Sequence, residues 1–444
     1  MRKQIAALLC LGMVLSVCGC QQQEEAESSV SSTLAPTATP AEATEDSATQ
    51  IPEKATDPAE TTAPSEAPSE GETTPPPTEA QDIPLVAVSL IPMLEEEQSE
   101  DGTSIFRYQY QTVTAIVPDA PDAGEKITQT MEERGKEAAG SVEEMLNWAK
   151  QDYSGNSSWV PYSCQVTFVP ARVDTTTISF SGAAWSFSGG VHPNGTLISC
   201  SFDTASGDIL TLSDVLTHAD VVEALYLKVM DGLERRSQEL DPDQSVWNDG
   251  YEDIVREHFN LEHVSSACWY FSDTGMHFYF SPYEIAPYVV GEVDIEISYA
   301  ELQGILKEEY MPEATTYESA FSMNAAHQEQ VDSTQFQENI LVDLKAEGTK
   351  VAVFSGSVIH HVQLEQRSWS TDSPEASSSQ VVFAVNRLTA QDLLSISADL
   401  TDVQTRLRLT LHTGENEIRS YFIRQNQEDG TVLLEPDDET GAGE

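Results

Sequence analysis

From residue 83 onward, apolar and polar side chains alternate along much of the chain, with the two-residue period that is typical of β-strands. The clearest early examples are residues 84–94 (PLVAVSLIPML) and 104–118 (SIFRYQYQTVTAIVP). In the second of these, Phe106, Tyr108 and Tyr110 occupy alternate positions and therefore share one face of the predicted strand. The pattern predicts that the folded part of the chain begins with β-structure.

Two longer segments have the period of an amphipathic helix, with apolar residues three or four positions apart. Residues 122–151 form the first, although Gly135 and Gly140 weaken the prediction because glycine is a poor helix former. Residues 213–239 form the second, with Ser213 as its predicted N-cap. These helices, mixed with strands on either side, predict an α+β fold for this part of the chain.

The helical period disappears at about residue 313, and short apolar runs separated by turn residues continue to residue 434. In residues 405–413 (TRLRLTLHT), Leu407, Leu409 and Leu411 lie on one face and polar side chains on the other. We therefore predict an all-β domain over residues 313–434, in its simplest form a small sandwich. The predicted fold is thus an α+β module followed by a small all-β, sandwich-like C-terminal domain.

The first twenty residues have the pattern of a targeting segment. Arg2 and Lys3 precede an apolar stretch that is too short to span a bilayer comfortably. The stretch ends in VCGC, which resembles a bacterial lipobox, and this resemblance implies lipidation of Cys20 after cleavage behind Gly19. Cys18 is an alternative, but valine is poorly suited to the position before it. We expect residues 1–20 to be a lipoprotein signal peptide and the protein to be lipid-anchored, extracytoplasmic, on the outer face of the bacterial cell membrane.

Residues 21–82 consist mainly of Glu, Thr, Ser, Pro and Ala, and include the run TTPPPTEA. This composition offers too little apolar surface to offset the entropy of ordering a chain. We predict a disordered acidic linker that holds the folded part away from the membrane. Residues 435–444 are predicted to be an acidic tail.

The charge balance restricts the classes of partner. The chain has 22 basic and 74 acidic residues, a formal net charge of -52. Nucleic acid is excluded as an expected partner, since phosphate backbones require a basic surface. The long-range field of an acidic protein attracts cationic partners instead.

Three cysteines lie beyond the signal segment: Cys164, Cys200 and Cys268. No pair has the CxxC spacing of a zinc site, and an odd number leaves at least one thiol over. We expect buried, unpaired cysteines that act as small apolar residues. One disulfide between two of the three remains an alternative.

Two motifs in the middle of the chain carry a resemblance to a known family. The first lies in residues 185–216, where WSFSGGVHPNG precedes a strand and is followed by FDTASGDILTLSD. The second is FYFSPYEIAPYVVGEVDIEISYAEL, residues 278–302. Both are similar to motifs of the RsiV/PdaC-like extracellular module, except that Val191 replaces the alanine usual before the histidine. The matching positions of the two motifs are Gly189, Gly190, His192, Phe202, Asp203, Gly207, Leu210, Leu212 and Asp214, and then Pro282, Tyr283, Glu284, Ile285, Ala286, Tyr288, Gly291, Tyr299 and Leu302.

The resemblance implies a PdaC-like N-terminal domain over residues 83–182 and an RsiV-like domain over residues 183–311. In that family the module occurs in lysozyme-sensing anti-sigma factors and before the catalytic domain of peptidoglycan deacetylases. This chain shows no deacetylase domain with metal ligands, no transmembrane helix and no sigma-binding segment. We therefore do not expect the catalytic or signalling activity of those relatives.

The candidate binding residues lie on two loops. Gly189 and Gly190 permit a tight turn that presents His192, while the segment SPYEIAPY offers Tyr283, Glu284 and Tyr288 as contact surface. Each residue also has a purely structural interpretation, as part of a turn or as loop packing. The sequence has no GxSxG, HExxH, P-loop or dinucleotide motif, so no catalytic residues, metal ligands or cofactor are predicted.

We therefore expect a non-enzymatic cell-surface lipoprotein that binds a cationic protein, such as lysozyme, or a cell-wall glycan. Two alternatives remain open. The first is a peptidoglycan-modifying hydrolase, or an accessory to a deacetylase, with its site at His192. The second is a structural protein that assembles on the surface through its C-terminal domain.

Overall fold

The protein is described from a computed structural model that covers residues 83–437, except 157, 243, 262–268, 313–314, 316, 318–320, 346, 369–377, 403–404 and 415–416. Helices and strands alternate in the first part and only strands and short 3-10 turns follow in the last. The α+β class with a C-terminal all-β region is therefore confirmed. The predicted signal peptide with Cys20, the linker over 21–82, Cys268 and residues 438–444 of the tail lie outside the described residues.

The strands of the described chain are β1 Ala87–Gln98, β2 Ser104–Ile116, β3 Tyr162–Val173, β4 Thr177–Phe187, β5 Asn194–Leu197, β6 Cys200–Asp203, β7 Trp269–Phe271, β8 Gly275–Phe280, β9 Val293–Ser298, β10 Met323–His327, β11 Glu338–Asp343, β12 Thr349–Ser355, β13 Ile359–Ser368, β14 Ser378–Leu388, β15 Asp392–Ala398, β16 Thr405–Gly414, β17 Glu417–Gln425 and β18 Val432–Pro436. The α-helices are α1 Pro121–Ala139, α2 Val142–Asp152, α3 Leu212–Val215, α4 Val222–Leu240 and α5 Tyr251–Glu257.

Both predicted helical segments are interrupted. The segment over 122–151 divides at Gly140, whose φ of 63° lies in the left-handed region and ends α1 before α2 begins. Ser213 is not the N-cap of the second segment, so that prediction was wrong. Thr211 caps the short α3 through a reciprocal capping box with Asp214.

The second interruption has a tertiary cause. After α3, Leu216 forms a bridge with Leu306, and the amide of Thr217 donates to the carbonyl of Ile305. These bonds use backbone groups that a continuous helix would need for its own ladder. The long helix α4 therefore starts only at Val222.

The largest sheet joins the two ends of the described chain. Its strand order is β18-β17-β16-β13-β14-β1-β2-β3-β4-β5, and β6 also pairs with β4. Residues 87–89 of β1 pair with β14 on one side and with β2 on the other, antiparallel in both cases. Smaller sheets contain β10-β12-β15-β11 and β7-β8-β9. The first strand of the fold is therefore hydrogen-bonded directly to the C-terminal strands.

Three hydrophobic clusters form the interior of the described part of the chain. In the first, α1 and α2 pack on β1–β4; in the second, α4, α5 and the loop after β9 pack on β7–β9. The third lies between the C-terminal part of the large sheet and the four-stranded sheet, as in a sandwich. Leu407, Leu409 and Leu411 are all buried there, which confirms the face predicted from their alternation. The thiols of Cys164 and Cys200 are buried in the first cluster, as expected.

The turn between β7 and β8 meets the C-terminal strands at a small polar junction. Its Asp273 carboxylate lies 3.6 Å from the imidazole Nδ1 of His361, and the ring of His412 lies 5.2 Å from that of His361. Burial raises the pKa of Asp273 to about 6 from its ordinary value of 3.8. Burial also lowers the pKa of both histidines.

We expect Asp273→Asn to make the protein less sensitive to pH between about 4 and 6. The raised pKa means that folding favours the protonated carboxyl, so the contribution of Asp273 to stability is complete below pH 3.8 and is lost as pH rises through about 6. At pH 7 the variant should therefore be more stable by about 1–2 kcal/mol, a figure reduced for partial exposure of the side chain. Urea unfolding at pH 4 and pH 7 checks this, and a gain of equal size at both pH values would contradict it.

Candidate functional site

The loop between β4 and β5 is shaped by glycine and presents His192. Gly189 and Gly190 have φ angles of 89° and 110°, which other residues rarely adopt. The chain can therefore reverse within a few residues and return as β5. The Nδ1 of His192 lies 2.9 Å from the carbonyl oxygen of Pro193 and donates to it, which fixes the orientation of the ring.

The loop that follows β8 brings two tyrosines to the same place. The ring of Tyr288 stacks on that of His192, with centroids 4.0 Å apart and planes inclined by 19°. Its hydroxyl donates to the carbonyl oxygen of Pro193 at 3.4 Å. The hydroxyl of Tyr283 lies 3.2 Å from His192 Nε2, and its ring centre is 5.3 Å from that of Tyr288. We call His192, Tyr283 and Tyr288 the aromatic cluster.

Tyr283 is held in an unusual backbone conformation. Its φ of 72° is one of two positive values among the described residues other than glycine. Such a conformation is costly for a tyrosine and persists only where surrounding structure imposes it. Here the conformation directs the ring outward, so that 58% of the residue is exposed.

Glu284, the fourth predicted side chain, supports this loop from behind. One carboxylate oxygen lies 2.7 Å from Nε2 of His258, and the other accepts from the backbone amide of Ser281 at 2.7 Å. The hydroxyl of Ser281 in turn accepts from the amide of Leu197 in β5. The structure thus places Glu284 in the framework that joins the two loops, while its neighbour Tyr283 faces solvent.

Two valines that sequence reasoning missed extend the exposed surface. Val191 beside His192 is 96% exposed, and Val289 beside Tyr288 is 91% exposed. Their exposure follows from the same tight loops, because each is next to a ring that is held by stacking. Like Tyr283, they expose apolar surface on the two loops that meet at the cluster, and exposed apolar groups of this kind occur at interaction sites on soluble proteins.

A groove begins beside the cluster on the outer face of β3 and β4. Its volume is about 640 Å³, within the range of ligand sites. Trp185 and Phe187, two positions apart on β4, line it together with Tyr288 and Pro193. The outward alternation of Trp185 and Phe187 is visible in the sequence, but nothing local shows that a loop about 100 residues later covers their side.

Gly195 allows the groove to form. It pairs with Trp185 across β4 and β5, and a Cβ atom at this position would lie only 2.4 Å from the indole ring. The ring therefore lies across the backbone of β5 where a side chain would otherwise stand. This close approach requires glycine at residue 195.

Two further findings concern metals and membranes. Among the described residues, no group of three or more His, Cys, Asp or Glu side chains is arranged to hold a metal ion. No helix in that part of the chain is long and apolar enough to cross a membrane.

Comparison with known proteins gives a family for part of the chain. Residues 219–300 match the model of DUF3298, described as a protein of unknown function. This region contains Tyr283, Glu284 and Tyr288, while His192 and the strands of the groove precede it. No curated protein matches the chain.

Two solved structures of DUF3298 proteins resemble the chain. One is from Bacteroides fragilis, with 16% identity and a TM-score of 0.34 over 50% of this chain and 94% of that one. The other is from Pseudomonas aeruginosa, with 15% identity and a TM-score of 0.34 over 51% of this chain and 97% of that one.

Proposed function

We propose that this protein is a non-enzymatic cell-surface lipoprotein that binds a small basic protein through the aromatic cluster. The observation that carries this proposal is the exposure of Val191, Tyr283 and Val289 on two loops that converge at His192. DUF3298 itself has no assigned function, so the support comes from this surface and from the charge of the chain.

The chemistry of the surface resembles the centre of a protein interface. Tyrosine is enriched among residues that dominate binding energy, since its large ring is rigid and carries a polar end. The stack of Tyr288 on His192 and the bond between Tyr283 and His192 hold the rings before a partner arrives. Such pre-organisation lowers the entropy lost on binding.

The net charge of -52 indicates the class of partner. A strongly acidic protein attracts a basic one at long range, which raises the association rate and makes it sensitive to salt. The aromatic cluster and the exposed valines beside it would then provide short-range apolar contacts that salt does not screen. We therefore expect association to slow at higher ionic strength while saturable binding remains.

Tyr283→Ala is expected to weaken binding of a basic protein to the full chain about tenfold or more, corresponding to about 1.4 kcal/mol. The substitution removes the most exposed ring of the cluster without opening a buried cavity. Calorimetric titration with lysozyme, at low and physiological salt, measures the effect. Leu341→Ala is the matched control, because Leu341 is 64% exposed on β11, away from the cluster in sequence and sheet. Equal affinity of both variants, or no saturable binding by the unmodified chain, would contradict the proposal.

The enzymatic alternative makes a different prediction for His192. A wall-modifying hydrolase should lose activity on peptidoglycan in a His192→Ala variant whose melting temperature is unchanged. The described contacts of this ring are with Pro193, Tyr283 and Tyr288, which suit a binding surface. The surface-assembly alternative predicts oligomers of the full chain in light scattering, without any added partner.

A further inference from the structure

The groove on β3 and β4 differs chemically from the rest of this acidic protein. Its apolar lining consists of Val160, Trp185, Phe187, Pro193 and Tyr288. Its polar lining consists of Ser163, Gln165 and Ser186. Among the described residues no charged side chain lines it, although acidic residues outnumber basic ones by more than three to one in the whole chain.

The polar side chains of the groove are available for a ligand. Ser163 lies opposite Phe187, and Gln165 lies opposite Trp185, in the antiparallel pairing of β3 with β4. Because Cys164 and Val166, on either side of Gln165, point into the core, Ser163 and Gln165 face outward beside the rings. Within the described chain, the side chains of Ser163 and Gln165 make no hydrogen bond to protein.

The aromatic surfaces of the groove are fixed by their surroundings. The indole of Trp185 lies against Gly195, and Tyr288 is held by stacking on His192. The ring of Phe187 makes an edge-to-face contact with Tyr162, with ring centres 6.5 Å apart. Tyr162 in turn stacks on Trp159, with ring centres 5.0 Å apart. Rigid rings alternate here with neutral donors and acceptors along two strands.

We propose that this groove binds a neutral oligosaccharide. The flat apolar face of a sugar ring packs on an aromatic ring, while its hydroxyl or acetamido groups need uncharged hydrogen-bonding partners such as a hydroxyl or a primary amide. The groove offers both, and its uncharged lining suits an uncharged ligand better than a basic protein. A volume of about 640 Å³ accommodates a few sugar rings. This site lies next to the aromatic cluster and adds a second binding activity to the proposed function.

The test is titration of the full chain with two neutral probes, an N-acetylglucosamine tetramer and cellotetraose, followed by calorimetry and tryptophan fluorescence. Binding of either probe supports the proposal. A difference in affinity between the two probes shows whether the groove recognises the acetamido group. We expect Trp185→Ala to weaken sugar binding about tenfold or more. We expect Trp185→Phe to retain most of the affinity, because it keeps a flat apolar face.

A third variant tests the geometry without removing the ring. Gly195→Ala places a methyl group where the indole lies, so Trp185 must move, and sugar affinity should fall as it does in Trp185→Ala. Melting temperatures of all three variants separate loss of the groove from loss of folding. A stable Gly195→Ala variant with unchanged sugar binding would overturn the placement of the site.

Separate variants distinguish the proposed binding of a basic protein from the proposed binding of a sugar. Trp185→Ala should leave lysozyme binding unchanged, and Tyr283→Ala should leave sugar binding unchanged. Absence of binding by both sugars at millimolar concentration overturns the groove proposal alone.

A synthetic peptide of residues 73–80 (TTPPPTEA) is the competing occupant, since proline-rich segments dock on aromatic grooves. Binding of this peptide dependent on Trp185, with no sugar binding, would assign the groove to the chain's own linker.

Discussion

Replacement of Arg172 by methionine should lower the free energy of unfolding by about 3–5 kcal/mol, as expected when one partner of a buried ionic group is removed. Arg172 on β3 is only 3% exposed. Its guanidinium pairs with the Asp174 carboxylate at 2.5 Å and donates to the Tyr299 hydroxyl at 2.7 Å and to the Tyr310 carbonyl at 2.6 Å. These acceptors would all lose a donor in the interior.

The expected loss is large because Arg172 joins two of the hydrophobic clusters. The guanidinium carbon also lies 5.5 Å from the ring centres of Phe271 and Tyr299, in cation-π geometry. Strand β3 carries the arginine, while Phe271, Tyr299 and Tyr310 belong to the cluster around β7–β9. Methionine fills part of the volume but satisfies none of the acceptors, so docking of the two regions should weaken.

Urea unfolding of the full chain measures this effect, with Arg107→Met as the matched control. Arg107 pairs with Glu96 at 2.9 Å on the surface, where 51% of the arginine side chain is exposed. Removal of an exposed pair should cost no more than about 1 kcal/mol. Similar losses in both variants would show that the junction at Arg172 contributes little to stability.

Leu85→Ala is expected to cost about 2–4 kcal/mol, although Leu85 lies more than 200 residues before the C-terminal core in which it is buried. The side chains around β1 alternate between two cores. Leu85 and Ala87 belong to the sandwich core, whereas Val86, Val88 and Leu90 belong to the core under α1. Loss of Leu85 therefore opens a cavity in the C-terminal region.

Leu94→Ala provides the matched control, since Leu94 lies further along the same segment and is 58% exposed. Its truncation should change stability by no more than about 0.5 kcal/mol. Thermal and urea unfolding of the two variants measure the difference. A loss at Leu85 as small as that at Leu94 would contradict the burial of this segment in the sandwich.

The same contacts predict the behaviour of residues 313–444 alone. Without the N-terminal segment, β14 loses its pairing with β1, and Asn386 loses the bonds to Val86 and Pro84. Strand β14 keeps its pairing with β13 but becomes an edge strand, and an exposed apolar edge is a site of aggregation. We expect this fragment to be unstable until a peptide of residues 83–92 is added. A cooperative thermal transition of the monomeric fragment alone would show that the predicted domain over 313–434 folds independently.

Much of the local structure follows from the amino-acid pattern. Leu407, Leu409 and Leu411 alternate, and the face they predict is buried, because the two-residue period of a strand depends only on backbone geometry. Gly140 ends α1 because glycine adopts left-handed φ angles without a Cβ clash. The sequence placed His192 and Tyr288 on two separate loops. It did not predict that the two loops meet, or that the two ring centres lie 4.0 Å apart.

By itself, the sequence determined the α+β class and the all-β texture of the C-terminal region, and it offered His192, Tyr283 and Tyr288 as candidate binding residues. Only the tertiary structure decided that β1 lies between β14 and β2, that Leu216 pairs with Leu306, and that a groove lies over Trp185. The physical reason is the separation along the chain over which each interaction acts. Periodicity and glycine conformation act between neighbours in the chain, whereas strand order and grooves depend on which distant surfaces exclude water together.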